Sequence, residues 1–293
     1  MPGVHLMRFT LSLTAVACCC LCLMSGRANA AGDKEIRLYA IDCGSLTFKD
    51  MSMFSDTGHY DGKKNGSMVD PCFLLQHPAG FFLWDTGLGD ALVGHDPPVN
   101  EAGVGLHVQK TLVGQLAQIG VRAADIKVLA FSHFHVDHTG NANLFTAATW
   151  LINEEELKWA LGKPTPPVVV PESFNAYKNV QTRMISGDYD VFGDGTIRIL
   201  RTPGHTPGHQ VLLVKLAHTG PVLLSGDLYH LASDRPPAAD GAGQVMSVNV
   251  DRAQTLASMN RVESILKNTA SRLVIQHDPA DFASLPKFPA FLN

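Results

Sequence analysis

Ser132-His133-Phe134-His135-Val136-Asp137-His138 is the stretch whose reading decides the fold. Three imidazoles and a carboxylate fall within six residues, and both groups are ligands suited to a borderline divalent ion such as Zn²⁺. The stretch follows Ile126–Phe131, a short continuous apolar run of the kind that forms a buried strand. A loop leaving such a strand can converge its side chains on one point outside the sheet. Two histidines two residues apart, with Asp-His just beyond, can feed two adjacent ions from one rigid turn.

Three more stretches occupy equivalent positions. Thr202-Pro203-Gly204-His205-Thr206-Pro207-Gly208-His209 follows the strand expected over Ile197–Arg201, and the Gly and Pro around His205 predict a tight turn. Ser225-Gly226-Asp227 follows Val222–Leu224, and Gln276-His277-Asp278 follows Leu273–Ile275. Each lies just past a buried strand, which gathers them at one edge. His133, His135, Asp137, His138, His205, Asp227 and His277 are therefore the candidate metal ligands. No CxxC offers a sulfur alternative.

Working outward, Ile36–Cys43 reads as a first strand, and Pro71–His77 with Gly80–Trp84 as a hairpin. Between them Thr47–Gly66 is polar and Gly-rich, dotted with Met51, Met53 and Phe54, and reads as a long loop. Helical spacing covers Val108–Ile119, Glu154–Leu161 and Asp251–Leu266. Further strands are expected over Trp150–Ile152, Gln210–Leu216 and Arg272–Ile275. Strands interleaved with helices predict an α/β fold with helices packed outside the sheets.

The first 30 residues read differently. Arg8, an apolar run from Phe9 to Met24 and Ala28-Asn29-Ala30 have the pattern of a cleaved secretory signal peptide, with a membrane anchor as the alternative. The chain is thus expected to be periplasmic or secreted, with 31–293 as a single hydrolase domain. Cys18, Cys19, Cys20 and Cys22 go with the leader, leaving Cys43 and Cys72, either bridged in an oxidising compartment or both free. Without Arg8 and Arg27, 21 Lys and Arg face 27 Asp and Glu, a balance that argues against a nucleic-acid partner. No later apolar run is long enough to span a membrane. The oligomeric state stays open, a dimer included.

HxHxDH, TPGHTPGH, GD and HD in this order resemble the metallo-β-lactamase superfamily, and Tyr39–Asp281 is similar to its N-acyl-homoserine lactonase family. The resemblance implies a four-layer αββα sandwich and two Zn²⁺ per chain. His133, His135 and His205 would hold one ion, Asp137, His138 and His277 the other, and Asp227 would bridge both beside a hydroxide. It also implies that Asp85 orients a ligand histidine, where the bland reading is a strand-end turn. His209 could serve similarly or be an exposed turn residue.

Substrate is less specified, because the superfamily also contains β-lactamases and phosphotriesterases of the parathion-hydrolase type. Asp227 weighs against the two-zinc β-lactamases, which lack such a bridge. The chain's end soon after His277 leaves no room for the helical substrate domain of glyoxalase II. Thr47–Gly66 stands where lactonases carry a lid over the acyl chain, and Ala232–Gly243 reads as a second loop over the cleft. The expected activity is hydrolysis of acyl-homoserine lactones, a quorum-quenching reaction on a small molecule. Asp137, Asp227, His230 and Tyr229 are the candidate catalytic residues. Many lactonases place a tyrosine three residues after the bridging aspartate; here that position is His230 and tyrosine stands one earlier. His230 is preferred over Tyr229 for the substrate contact.

Overall fold

In the computed structural model, side chains alternate along each strand and sort themselves into three apolar layers. The described residues are 1, 3, 35–95, 97–235, 243–247 and 249–293; the expected leader, positions 1 and 3 apart, and 236–242 of the expected second loop lie outside them. One sheet contains β1 (Arg37–Asp50), β2 (Lys64–His77), β3 (Gly80–Trp84), β4 (Val104–His107), β5 (Ile126–Ala130), β6 (Thr149–Asn153) and β7 (Thr182–Ile185) in the order β4-β1-β2-β3-β5-β6-β7. The other contains β8 (Tyr189–Asp190), β9 (Ile197–Arg201), β10 (Gln210–Leu216), β11 (Gly220–Leu224) and β12 (Arg272–Val274) in the order β12-β11-β10-β9-β8.

The helices are α1 (Leu112–Gln118), α2 (Val136–Thr139), α3 (Glu154–Ala160), α4 (Arg252–Thr269) and α5 (Pro279–Ala283). On β2, Leu74 faces outward against Leu112, Leu116 and Leu157 of α1 and α3. Its neighbours Phe73 and Leu75 face inward, against Leu212 and Val214 of β10. Val211 and Leu213, on the opposite face of β10, meet Met259, Val262 and Leu266 of α4. A helix layer, two sheets and a second helix layer follow from this period-two alternation. The four-layer αββα expectation is met. Among the described residues no helix is long and apolar enough to cross a membrane.

Two local expectations are corrected. The Thr47–Gly66 loop is shorter, because β1 continues to Asp50 and β2 begins at Lys64, with Thr47 opposite Ser67 and Phe48 opposite Gly66. Leu46 and Phe48 alternate with outward polar residues and bury themselves in a separate apolar cluster with Met51, Phe54 and Met68. That alternation was hidden among Gly and charged positions. The helix expected from Val108 starts instead at Leu112, where the Thr111 hydroxyl caps the Gly114 N–H at 3.1 Å. Val108 belongs to the same separate cluster.

Cys43 and Cys72 are disulfide-bonded, which closes the question left open by the sequence. Register shifts between Asp42 and Ser45, so β1 carries a bulge opposite Asp70 that turns Cys43 onto β2.

Candidate metal centre

β5 delivers the chain to the edge between the sheets, and residues 131–135 lead from it into the single turn of α2. On the other sheet, the loops after β9, β11 and β12 bring His205, Asp227 and His277 to the same edge. His133 Nε2 and His135 Nδ1 are 2.9 Å apart, and His205 Nε2 lies 3.2 Å from each. Asp227 stands between two groups. Its Oδ2 is 3.4 Å from His205 Nε2 and 3.7 Å from His133 Nε2. Its Oδ1 is 3.1 Å from both His138 Nε2 and His277 Nε2. Asp137 Oδ2 completes the second group, 3.9 Å from each of those nitrogens. All seven sequence candidates are thus together, in two sets of ligand atoms that each lie within 4.8 Å.

On three of the rings the far side fixes which nitrogen faces inward. His277 Nδ1 donates to the Val69 carbonyl at 2.7 Å, and His205 Nδ1 to Asn249 Oδ1 at 2.8 Å. His138 Nδ1 meets Asp85 Oδ2 at 3.1 Å. Such outer bonds hold the inner nitrogen as a bare acceptor and raise its basicity. Bare nitrogens 2.9–3.2 Å apart repel unless a cation lies among them. Those separations approach the roughly 3.3 Å edge expected of a tetrahedral zinc site. Asp137 Oδ1, Asp227 Oδ1 and His138 Nε2 are buried without hydrogen-bond partners. Imidazoles, carboxylates and orphaned acceptors around one point fit a divalent metal.

Protonation follows the same division. Burial holds His133 well below the ordinary histidine range and His205 down to about 4. For His277 burial is outweighed by Asp227, and its pKa is raised to about 9. Asp227, ringed by His277, His138 and His133, is held well below the carboxylate range despite its burial. The carboxylates demand positive charge at their centre, and the three-imidazole set does not.

Two buried carboxylates stand behind the ligands. Asp85, at φ 59°, accepts the Ser132 N–H at 2.6 Å on Oδ1, and its Oδ2 meets His138 and the Gln276 amide. Glu156, the third residue of α3, accepts the Phe134 and Gly208 N–H groups, each at 2.9 Å. Burial pushes its carboxyl up to about 7, opposed by those amides. His209 is buried, not exposed, and its Nε2 accepts the Asp227 N–H at 2.9 Å.

A cavity of about 570 Å³ opens onto this cluster. One wall comes from Leu46, Phe48, Val104 and Leu106 of β1 and β4; the facing wall from Trp159, Pro166, Pro167 and Val168. Met53 and Phe54 also reach it, whereas Met51 packs down over Gly66. The 51–63 segment is tied in place: Tyr60 donates to Asp234 at 2.5 Å, Ser55 to Gln244 at 2.8 Å, and Asp56 pairs with Arg252.

His230 faces the cavity, with Nε2 3.2 Å from Asp227 Oδ2 and its ring between Phe54 and His277. Tyr229 does not reach the site, which corrects its place among the catalytic candidates. The backbone there is extended, so adjacent side chains point oppositely. Tyr229 is fully buried under α4 and directs its hydroxyl to Glu263 Oε1 at 3.1 Å.

Residues 70–277 match the family model of the metallo-β-lactamase superfamily. The N-acyl homoserine lactonase AttM of Azorhizobium caulinodans is 30% identical over 278 residues, covering 88% of this chain and 99% of AttM. The chain belongs to the N-acyl homoserine lactonase family of the metallo-β-lactamase superfamily. An N-acyl homoserine lactone hydrolase with N-hexanoyl-L-homoserine bound at its metal centre superimposes with TM-score 0.75 at 24% identity, covering 89% of this chain and all of that one. AidC, a dizinc quorum-quenching lactonase, gives 0.64 at 20% identity, covering 88% and 90%.

Within this lactonase-family site, Glu156, Trp159, Asn249 and the 166–168 wall escaped the sequence reading. Asn153-Glu154-Glu155-Glu156 reads as an ordinary helix start, and Asn153 does cap α3. Nothing in that pattern distinguishes the one glutamate that turns inward.

Proposed function

We propose that the protein opens the ring of N-acyl-homoserine lactones at a centre of two zinc ions, outside the cytoplasm. The observation that carries this reading is Asp227, whose two oxygens face separate histidine sets at the mouth of an apolar cavity. His133, His135 and His205 would hold one ion, Asp137, His138 and His277 the other, with Asp227 between them. When bound, such ions would lower the pKa of a water and polarise the carbonyl that it attacks.

The chain's own groups supply the rest. The apolar walls take the acyl tail and leave few polar groups to orient the head. Water adds its oxygen to the lactone carbonyl carbon, the ring C–O bond breaks, and the proton passes to the departing oxygen. Asp137 Oδ1 is free to accept a hydrogen bond from the reacting water. His230 Nε2, beside Asp227, can donate one to an oxygen of the ring. Export is supported by the apolar N-terminal run and by the Cys43–Cys72 bond, since disulfides persist in oxidising compartments.

The test is a substrate panel with the zinc-loaded protein. Rapid ring opening of N-hexanoyl-homoserine lactone, with negligible nitrocefin and paraoxon turnover, is expected. Fast nitrocefin or paraoxon turnover without lactone turnover would overturn the assignment.

A further inference from the structure

We infer that Glu156 is a positioning residue for one half of the metal centre, clamping the loop of His133 and His135 to the loop of His205 through their backbone amides. The inference rests on the metal-binding reading above but not on the choice of substrate.

The Phe134 N–H lies between the two histidines of the first loop, and the Gly208 N–H lies on the loop that carries His205 and His209. These loops come from different sheets. One carboxylate receives both, an oxygen each, in a site where Glu156 is 1% exposed. Its position is fixed from below. β6 runs parallel to β5 with Leu129 opposite Trp150, so α3 begins beside the loop that leaves β5. Asn153 Oδ1 accepts the amides of Glu155 and Glu156 at 3.0 and 3.2 Å and sets the helix start. One turn on, the Trp159 ring lies 5.8 Å from that of His135.

The second loop rests directly on this helix start. A Cβ at Gly208 would lie 2.5 Å from the Glu156 backbone N and from Asn153 Oδ1, so no larger residue permits the contact. From Gly208 the next residue is His209, which accepts the Asp227 amide. Glu156 makes no bond to Asp137, His138 or His277; His138 is held by Asp85 and His277 by the Val69 carbonyl.

A carboxylate suits this place because two N–H donors converge on it. Glutamine would keep one bond and turn an NH₂ group toward the other amide, leaving a buried donor against a donor. The two halves should then separate. Apo-protein is titrated with Zn²⁺ against a chromophoric chelator, and the Co²⁺-loaded form is followed by paramagnetically shifted NMR signals of the histidine N–H groups. Glu156→Gln is expected to weaken one of the two Zn²⁺ affinities about 10- to 100-fold, the loss usual for partners of metal ligands. It should erase the His205 Nδ1–H signal and keep that of His277. Equal affinities at both sites as in wild type, or equal loss at both, would overturn the inference, as would a fall in apo thermal stability alone. Should Glu156→Gln fail to fold, Gly208→Ala tests the same contact from the other loop, and an unchanged pair of affinities there would also overturn it. The expected loss at one site of Glu156→Gln, together with no lactone turnover by the zinc-loaded wild-type protein, would count against the proposed reaction and not against Glu156.

Discussion

The two halves of the candidate metal centre are built on different principles. The His133–His135–His205 half is three imidazoles with depressed basicity, held from behind by a glutamate that binds only backbone. The Asp137–His138–His277 half contains a carboxylate, a histidine raised to about 9, and an aspartate that binds a ligand ring directly. The buried glutamate touches loop amides alone, whereas Asp85 binds both a loop amide and the ring of His138. An ion held by the three-imidazole half would keep more of its charge and act as the stronger Lewis acid, whereas the half with Asp137 would offer the tighter electrostatic seat.

The most severe way to break this contrast is to remove the residue that both halves share. Asp227→Ala should lower kcat/KM for a lactone at least about a thousandfold, roughly 4 kcal/mol, because several buried charges lose their partner. Elemental analysis should show zinc lost from both sets. If metal content stayed at two per chain, Asp227 would not be the bridge.

The disulfide separates the halves on the stability side. A Cβ on Gly87, two residues past Asp85, would lie 2.3 Å from Cys43 Cβ, so the bridge backs the turn that presents Asp85. Closing a loop of sequence separation 29, its removal in Cys43→Ser/Cys72→Ser should cost about 3–4 kcal/mol in denaturant unfolding. Any zinc weakening should fall on the anionic half, and a loss confined to the other would contradict the division.

Asp85→Asn is the counterpart of the glutamate substitution. It should weaken Zn²⁺ at the Asp137–His138–His277 half about 10- to 100-fold in the same chelator titration, and the other half less, since Asp85 also accepts the Ser132 N–H beside His133. The smallest effects distinguish two neighbours. His230→Ala should lower kcat about tenfold with zinc content unchanged, as for a lost hydrogen-bond donor. Tyr229→Phe should leave kcat alone and cost about 1 kcal/mol of stability, the loss of one buried hydrogen bond. A kinetic defect in the phenylalanine variant would restore Tyr229 to the site.

These contrasts were unequally legible in the sequence. The seven ligands could be read because each follows a continuous apolar strand, and buried strand ends must share an edge. The layers could be read from alternation on β2 and β10. The roles of Tyr229 and His230 were harder, since a single backbone torsion decides which of two adjacent residues faces the cavity. Glu156 was illegible because its function depends on where two distant amides lie, not on its neighbours in the chain. Thr47–Asp50 was misread since its burial is against a local cluster, not the main core.

The ligand sets also cross the gap between the sheets. His133, His135, Asp137 and His138 leave β5 of one sheet, while His205, Asp227 and His277 follow strands of the other. Any ion bound in either half is therefore a rivet through the sandwich as well as a reagent. Each tenfold rise in free zinc above the dissociation constant adds about 1.4 kcal/mol per site to the folded state. On the proposed two-zinc reading, global stability, sheet-to-sheet cohesion and catalytic competence would be set by the same external variable, the metal activity of the surroundings.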